Sequence, residues 1–261
     1  MKEGLLFLAH RIPFPPNKGD KIRSFHLLRH LSMRYAIHLG AFVDDPDDWQ
    51  YRDALEPWCA SIRLFPLHPR RAKLASLSGL LTGEALTLPY YRNRRLAAWA
   101  KGLADAGTVT RGLAYSSAMA QFMPAGLARR VLDMVDVDSD KWTQYAPTQR
   151  WPLSWVYARE GRKLADWEAR VAEDFDATLL VSRDEAALLQ QRAPHARDKS
   201  APSRTASMPI IFRRHATTRI PTRPMCWAWC SPAPWTTGRT SMPAAGLPSG
   251  FSPPSAKPCR P

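Results

Sequence analysis

Residues 4–31 read GLLFLAHRIPFPPNKGDKIRSFHLLRHL, and they decide the fold. Positions 4–9 are a short, unbroken apolar run, the pattern of a strand buried on both faces of a parallel sheet. The run gives way to a loop at 10–19, in which Pro13, Pro15 and Pro16 forbid regular structure. From Asp20 the period changes. Ile22, Phe25, Leu28 and Leu31, with Leu27 beside them, mark one face of a helix, and Lys21, Arg23 and Arg29 lie off it. Asp20 stands where an N-cap is expected. Strand, loop and helix in that order open an α/β sheet.

The rest of the chain repeats the alternation. Residues 36–43, 61–67, 112–115, 130–135 and 177–182 read as strands. Helical stretches fall at 49–58, 72–81, 90–106, 154–174 and 183–191, with a short helix after Ser117. Strands alternating with helices mean βαβ units, hence a Rossmann-like, mainly parallel sheet with helices on both faces. Such sheets bind ligands beyond the carboxyl ends of their strands. That points to the 10–20 loop, the Ser116–Ser117 turn, the turn at 136–139 and Ser182. The first loop lacks GxGxxG, which argues against a nucleotide-dependent dehydrogenase.

Composition divides the chain in two. All 23 acidic residues precede Lys199, together with 28 of the 37 cations, so residues 1–198 carry +5 of the net charge of +14. Residues 199–261 hold the other nine cations, 12 of the 24 prolines and three of the four cysteines, and they carry no Asp or Glu. That composition is far from globular, and the segment reads as a disordered tail after a domain spanning 1–198. A pI near 10.1 invites nucleic acid as a partner, but most of the excess charge sits in the tail, and no nucleic acid is expected. Cys59 alone in the front part fits a reducing compartment rather than a disulfide framework. Cys226, Cys230 and His215 are an incomplete metal set, so no metal and no cofactor is expected. The N-terminal apolar run is too short for a signal peptide and carries Glu3, and no stretch reaches bilayer-spanning length; the expected location is cytoplasmic.

Several ordered segments carry a family resemblance: HRIPFPPNKGDKIRSFHLLRHL (10–31), HLGAFVDDPDDW (38–49), YSSAMAQF (115–122), VLDMVDVDSDKWTQYA (131–146), LADWEARVAEDFD (164–176) and LLVSRDEAALL (179–189). Together they resemble the N-terminal half of a family 4 glycosyltransferase, in particular the sugar transferases linked to the PEP-CTERM/exosortase system of exopolysaccharide-producing bacteria. The resemblance implies a GT-B fold, two Rossmann-like domains facing across a cleft. It also implies retaining transfer from a nucleotide-sugar without a metal. The N-terminal domain would hold a glycan or lipid-linked sugar acceptor, and the second domain the donor.

The family continues with an N-G-V-D-x-x-x-F turn, where this chain reads SAPSRTASMPIIFRRH at 200–215. Reading the codons of 205–212 from their third base permits N-G-V-D-A-D-Y-F, and Arg213 and Arg214 then permit S-P. The same shift across 231–243 permits T-G-A-M-D-Y-W-P-N-I-D-A, resembling the glycine-rich opening of the donor domain. The expectation is a frameshift near 198–203, with 199–261 an out-of-frame translation and the chain inactive alone. The alternative is a non-enzymatic protein that uses the basic tail on nucleic acid or membrane.

The candidate substrate-binding residues are Lys18, Gly19, Asp20, Arg23, Ser117, Asp136 and Asp138. A helix begins at Lys18-Gly19-Asp20, where free N–H groups and the helix dipole favour an anion, and Lys18 or Arg23 would add positive charge. In the family this loop faces the cleft near the donor phosphates. Asp136 follows a strand end where related enzymes contact the transferred sugar; Asp138 or Ser139 could instead cap the next helix, and Asp133 inside the strand should be paired. Ser116 and Ser117 line the same cleft or act as caps. His10 and Arg11 are open as acceptor contacts. The resemblance puts the catalytic groups in the donor half, so none is assigned here. Finally, Arg70, Arg71 and Lys73 precede Leu74, Leu77, Leu80 and Leu81, while Arg92, Arg94, Arg95 and Lys101 flank Trp99. Either the leucines pack on the sheet, or this basic amphipathic surface makes a peripheral contact with the inner membrane face.

Overall fold

The first strand, β1 (Glu3–Ala9), sends alternate side chains into two different cores. Leu5, Phe7 and Ala9 enter one, and Leu6 and Leu8 enter the other. The structure, a computed structural model, describes residues 2–202. Six more strands share the alternation: β2 (Tyr35–Val43), β3 (Ser61–Pro66), β4 (Arg111–Tyr115), β5 (Arg129–Val135), β6 (Ala177–Leu180) and β7 (Ser200–Pro202). They pair in parallel throughout, in the order β3-β2-β1-β4-β5-β6-β7. The α/β class read from the periodicity is the architecture observed.

The order reverses between β1 and β4, and the helices divide with it. α1 (Gly19–Ser32) covers the Leu5/Phe7 face with Phe25, Leu27, Leu28 and Leu31. The opposite face is covered by α5 (Arg94–Asp105), α7 (Leu153–Asp174) and α8 (Arg183–Arg192), through Leu96, Val171 and Leu189 among others. Crossovers that step in opposite directions but keep one hand must lie on opposite faces, and they do. Between β3 and α5 run three shorter helices, α2 (Pro69–Ser76), α3 (Ser78–Thr82) and α4 (Thr87–Tyr91), and α6 (Asp138–Tyr145) follows β5.

Some expectations change. The helix at 49–58 is two 3₁₀ turns, Pro46–Tyr51 and Asp53–Trp58, and Pro57 inside the second has no N–H to give to an α ladder. The stretch 90–106 breaks at Arg92–Asn93, where Asn93 turns its side chain to cap α5 by accepting from the N–H groups of Arg95 and Leu96. On α1, Ile22 is exposed and Lys21 is buried, with its ammonium 2.6 Å from Asp48. The Pro46–Tyr51 turn supplies the partner that lets a lysine sit inward. The sheet also runs past the expected boundary at 198, since Ser200–Pro202 pair with Thr178–Leu180 as β7. The rest of the basic segment, with the incomplete metal set and the shifted-frame motifs, lies outside the described residues.

Candidate functional site

At the order reversal, the carboxyl ends of β1, β4 and β5 open into one cavity of about 270 Å³. This is where an open parallel sheet leaves room, because the loops leaving β1 and β4 depart to opposite faces. His10 and Asp20 line it from the first βα unit, Tyr115 and Ser116 from β4, and Val135, Asp136 and Asp138 from the end of β5. Tyr91, Lys141 and Trp142 complete the wall.

His10 stacks flat on Tyr115, with ring centres 5.7 Å apart and planes within 5°. Its Nε2 lies 3.5 Å from Asp20 Oδ2, and Arg11 Nη1 reaches the same oxygen at 2.9 Å. The His10 hydrogen bond, backed by the charge of Arg11, holds the Asp20 carboxyl well below the usual range against the opposing effect of burial. Arg11 in turn donates from Nε and Nη2 to Asp44 at 2.7–3.2 Å. Burial opposes ionisation of Asp44, but Arg11 outweighs it and the carboxyl also sits low. The Nδ1 of His10 is buried and meets no hydrogen-bond partner among the described residues. The Tyr115 hydroxyl donates to the Asp20 carbonyl at 3.0 Å, tying β4 to the start of α1.

Two residues of the wall hold backbone conformations that side chains rarely adopt. Ser116 has φ 83° and ψ 142°, and Val135 has φ 71°; they are the two non-glycine residues with positive φ among those described. Val135 is β-branched and sits at the centre of a tight turn in which Asp136 N–H donates to Met134 O at 3.0 Å. Each such conformation costs on the order of 1–3 kcal/mol and persists only where its surroundings overdetermine it. Here Ser116 N–H donates to Asp133 O at 2.8 Å and Val181 N–H donates to Val135 O at 2.6 Å. Glu185 accepts from Val137 N–H at 2.6 Å. Strain at both ends of one cavity wall aims Ser116 and Asp136 into it.

Asp136 and Asp138 share one cation. Lys141 Nζ lies 2.7 Å from Asp136 and 3.2 Å from Asp138. Burial draws the ammonium down, but the two carboxylates outweigh it and Lys141 sits above its ordinary value. The wall thus holds three carboxylates and one lysine that two of them share, beside the rings of Tyr91 and Trp142. Such a surface offers acceptors and aromatic faces to a polyhydroxylated ligand. Anionic groups are better met at the rim, where Lys18 and Gly19 are exposed and α1 begins without a side-chain cap.

Of the residues singled out from sequence, Asp20, Asp136 and Asp138 line the cavity and Lys18 and Gly19 adjoin it. Asp20 is not a cap: it lies inside α1, occupied by His10 and Arg11, and Lys18 holds the cap position. Asp138 is the first residue of α6, and no side chain caps that helix from Val137. Arg23 points away to a bidentate pair with Asp133 at 3.0 Å, so the expected pairing of Asp133 consumes the expected substrate cation. Ser117 is 1% exposed, and Trp167 Nε1 donates to its carbonyl; its neighbour Ser116 takes the cavity position. The sequence reading passed over Tyr91, Tyr115, Lys141 and Trp142, and it left His10 among the lesser candidates. His10 directly follows the first strand of a parallel sheet, and that position was the available signal. Tyr91 carries no such signal, since it reaches the wall from the crossover between β3 and β4.

No family model and no curated protein matches the sequence. Among solved structures, the chain is similar to the crystal structure of a protein assigned as a UDP-N-acetylglucosamine 2-epimerase from Listeria monocytogenes, with a TM-score of 0.42 and 9% identity over 77% of this chain. The match covers 45% of that protein, so the chain spans less than half the length of the structure it resembles.

Proposed function

We propose that residues 2–202 form the acceptor-side domain of a nucleotide-sugar-dependent glycosyltransferase of the GT-B type, acting in cell-surface glycan synthesis. The observation that carries this reading is the cavity at the order reversal, walled by three carboxylates and aromatic faces and flanked by strained backbone. Carboxylates accept paired hydroxyl hydrogen bonds, and aromatic rings cover the apolar faces of a sugar. The motifs that resemble family 4 transferases fall on this wall: 10–31, 115–122, 131–146 and 164–176 contribute all of its lining but Thr87 and Tyr91.

In this reading an acceptor sugar hydrogen-bonds Asp136 and Asp138 and packs on Tyr91 or Trp142. The Lys18-Gly19 rim meets the donor's phosphates through free backbone N–H groups. His10, stacked on Tyr115 and paired with Asp20, holds the Asp20 carboxyl at the wall. Most of the rate would come from positioning and from charge on the leaving diphosphate, groups expected in a donor domain encoded in the shifted frame.

The experiment is to express the chain as it stands beside a version with the frame restored to read NGVDADYFSP, and to measure nucleoside diphosphate release from a panel of nucleotide-sugars with a glycolipid extract. Release by the restored protein alone is expected, reduced about 100-fold in its Asp136→Ala and His10→Ala variants. A well-folded restored protein that consumes no nucleotide-sugar would overturn the reading.

A further inference from the structure

We infer that α2 and α3 form a docking face for a bilayer containing anionic lipid. Of the two placements open for the leucines from sequence, the structure has the outward one: Leu74 is 71% exposed, Leu77 51%, Leu80 37% and Leu81 92%. Packing forces this. The inner face of the pair is made of the small residues Ala72 and Gly79, which are buried. Arg159 clamps the segment by donating to Gly79 O at 2.6 Å and to Glu84 O at 3.1 Å. A Cβ on Gly79 would come within 3.2 Å of Glu84 O, so close approach selects the small side and leaves the leucines in water.

The charge beside these leucines has one sign. Arg70, Arg71 and Lys73 are exposed, and no ion pair involves them among the described residues. No Asp or Glu occurs from position 57 to position 83. The cations continue past α4, on which α2 packs. Arg63, Arg92, Arg94 and Arg95 line an open cavity of about 780 Å³ with Trp99, and among the described residues only Arg92 has an acidic partner there, Glu84 at 2.6 Å.

The occupant must therefore be both apolar and anionic. The segment 203–261 brings eight more cations and no acid, so its own charge opposes it. A second copy related by a two-fold axis would set the same cations against each other. Nucleic acid would answer the cations and leave four leucines in water. An anionic lipid surface answers both, since acyl chains take the leucines while headgroup phosphates take the arginines and lysine.

The test is co-sedimentation of the full chain with phosphatidylcholine vesicles, with and without phosphatidylglycerol, together with hydrogen exchange of residues 69–83. We expect at least about tenfold stronger partitioning onto the anionic vesicles, with exchange at 69–83 slowed only there. Leu74→Ser/Leu81→Ser should lose at least about tenfold of that partitioning, as should Arg70→Gln/Arg71→Gln/Lys73→Gln, both with an unchanged circular dichroism spectrum. All these positions are exposed, so folding should survive. Equal binding to both vesicle types would overturn the proposal. So would variants that bind like the parent, or unaltered exchange at 69–83, since binding would then belong to the basic segment 203–261. No step reads sugar transfer, so this outcome is independent of the glycosyltransferase reading.

Discussion

Arg23 shows how a single residue can be read correctly in type and wrongly in direction. From sequence it is a cation in the first turns of α1; in the structure its guanidinium closes on Asp133, which is 0% exposed. Burial pushes the Asp133 carboxyl up and Arg23 pulls against it. Arg23→Ala should therefore leave a buried, unpaired carboxyl and cost about 3–5 kcal/mol in urea denaturation. Unchanged stability would return Arg23 to the list of binding residues. Glu168 is the second case. It is 1% exposed and accepts from the Ser139 N–H and hydroxyl. Burial pushes it up to about 8 from an ordinary value of 4.5, with the charge of Asp138 adding to the rise and Ser139 opposing it. The folded state thus holds this proton more tightly than the unfolded chain. Its contribution to stability is complete below about pH 4.5 and fades as pH rises through about 8, at no more than about 1.4 kcal/mol per pH unit. Glu168→Gln, neutral throughout, should flatten that decline when urea midpoints are compared between these limits; parallel declines in parent and variant would contradict it. Neither partner was legible in sequence, because Arg23 and Asp133 lie 110 positions apart and Glu168 and Ser139 lie 29 apart.

At the scale of elements, α7 holds the cavity wall in place. Its Glu160 accepts from the N–H groups of Leu86 and Thr87 at the start of α4, and its Glu168 does the same for Ser139 at the start of α6. Carboxyl oxygens aimed at two helix N-termini accept from donors that no local side chain caps. Between them, Gly161 lets α6 approach closely: a Cβ there would sit 2.4 Å from Thr143 Oγ1 and 3.2 Å from Ser139 O. Gly161→Ala should cost about 1–3 kcal/mol and displace α6, which carries Asp138 and Lys141. The measurement is the thermal midpoint together with glycan binding by saturation-transfer NMR, and unaltered values of both would show that α6 has room to spare. Gly19 is the contrasting case. Nothing lies within 4 Å of a Cβ built there, so Gly19→Ala should leave stability unchanged, and any lost affinity for an anion would report the rim directly. The period-3.6 pattern located α7 to within a residue, since its apolar stripe is long. It did not separate α2 from α3 or α4 from α5, where short helices end at a cap or a change of direction.

For the whole molecule, the contribution of the last described strand to stability is the testable quantity. Among the described residues the last strand is β7, whose residues Ser200–Pro202 pair with β6, while Gln190 Nε2 donates to Ser200 O at 2.9 Å. A chain ending at 202 keeps all seven strands and should unfold in one transition at the midpoint of the full chain. A chain ending at 198 strips the edge from β6 and should melt several degrees lower. Equal midpoints for the two would mean that β7 contributes nothing to stability.

The amino-acid sequence by itself determined the α/β class, the strand and helix alternation, and most of the loops that line the cavity. Those properties rest on local periodicity and on the rule that parallel sheets bind at their carboxyl ends. Only the tertiary structure decided which charges are free. Arg23, Lys21 and Glu168 are claimed by partners from other elements, whereas Asp136, Asp138 and His10 are brought to one wall by β5 and β1, which flank β4 in the sheet though they lie far apart in sequence. The outward turn of Leu74, Leu77 and Leu81 was decided there too, because amphipathic spacing says which residues share a face of a helix, and close packing at Ala72 and Gly79 says which face turns inward.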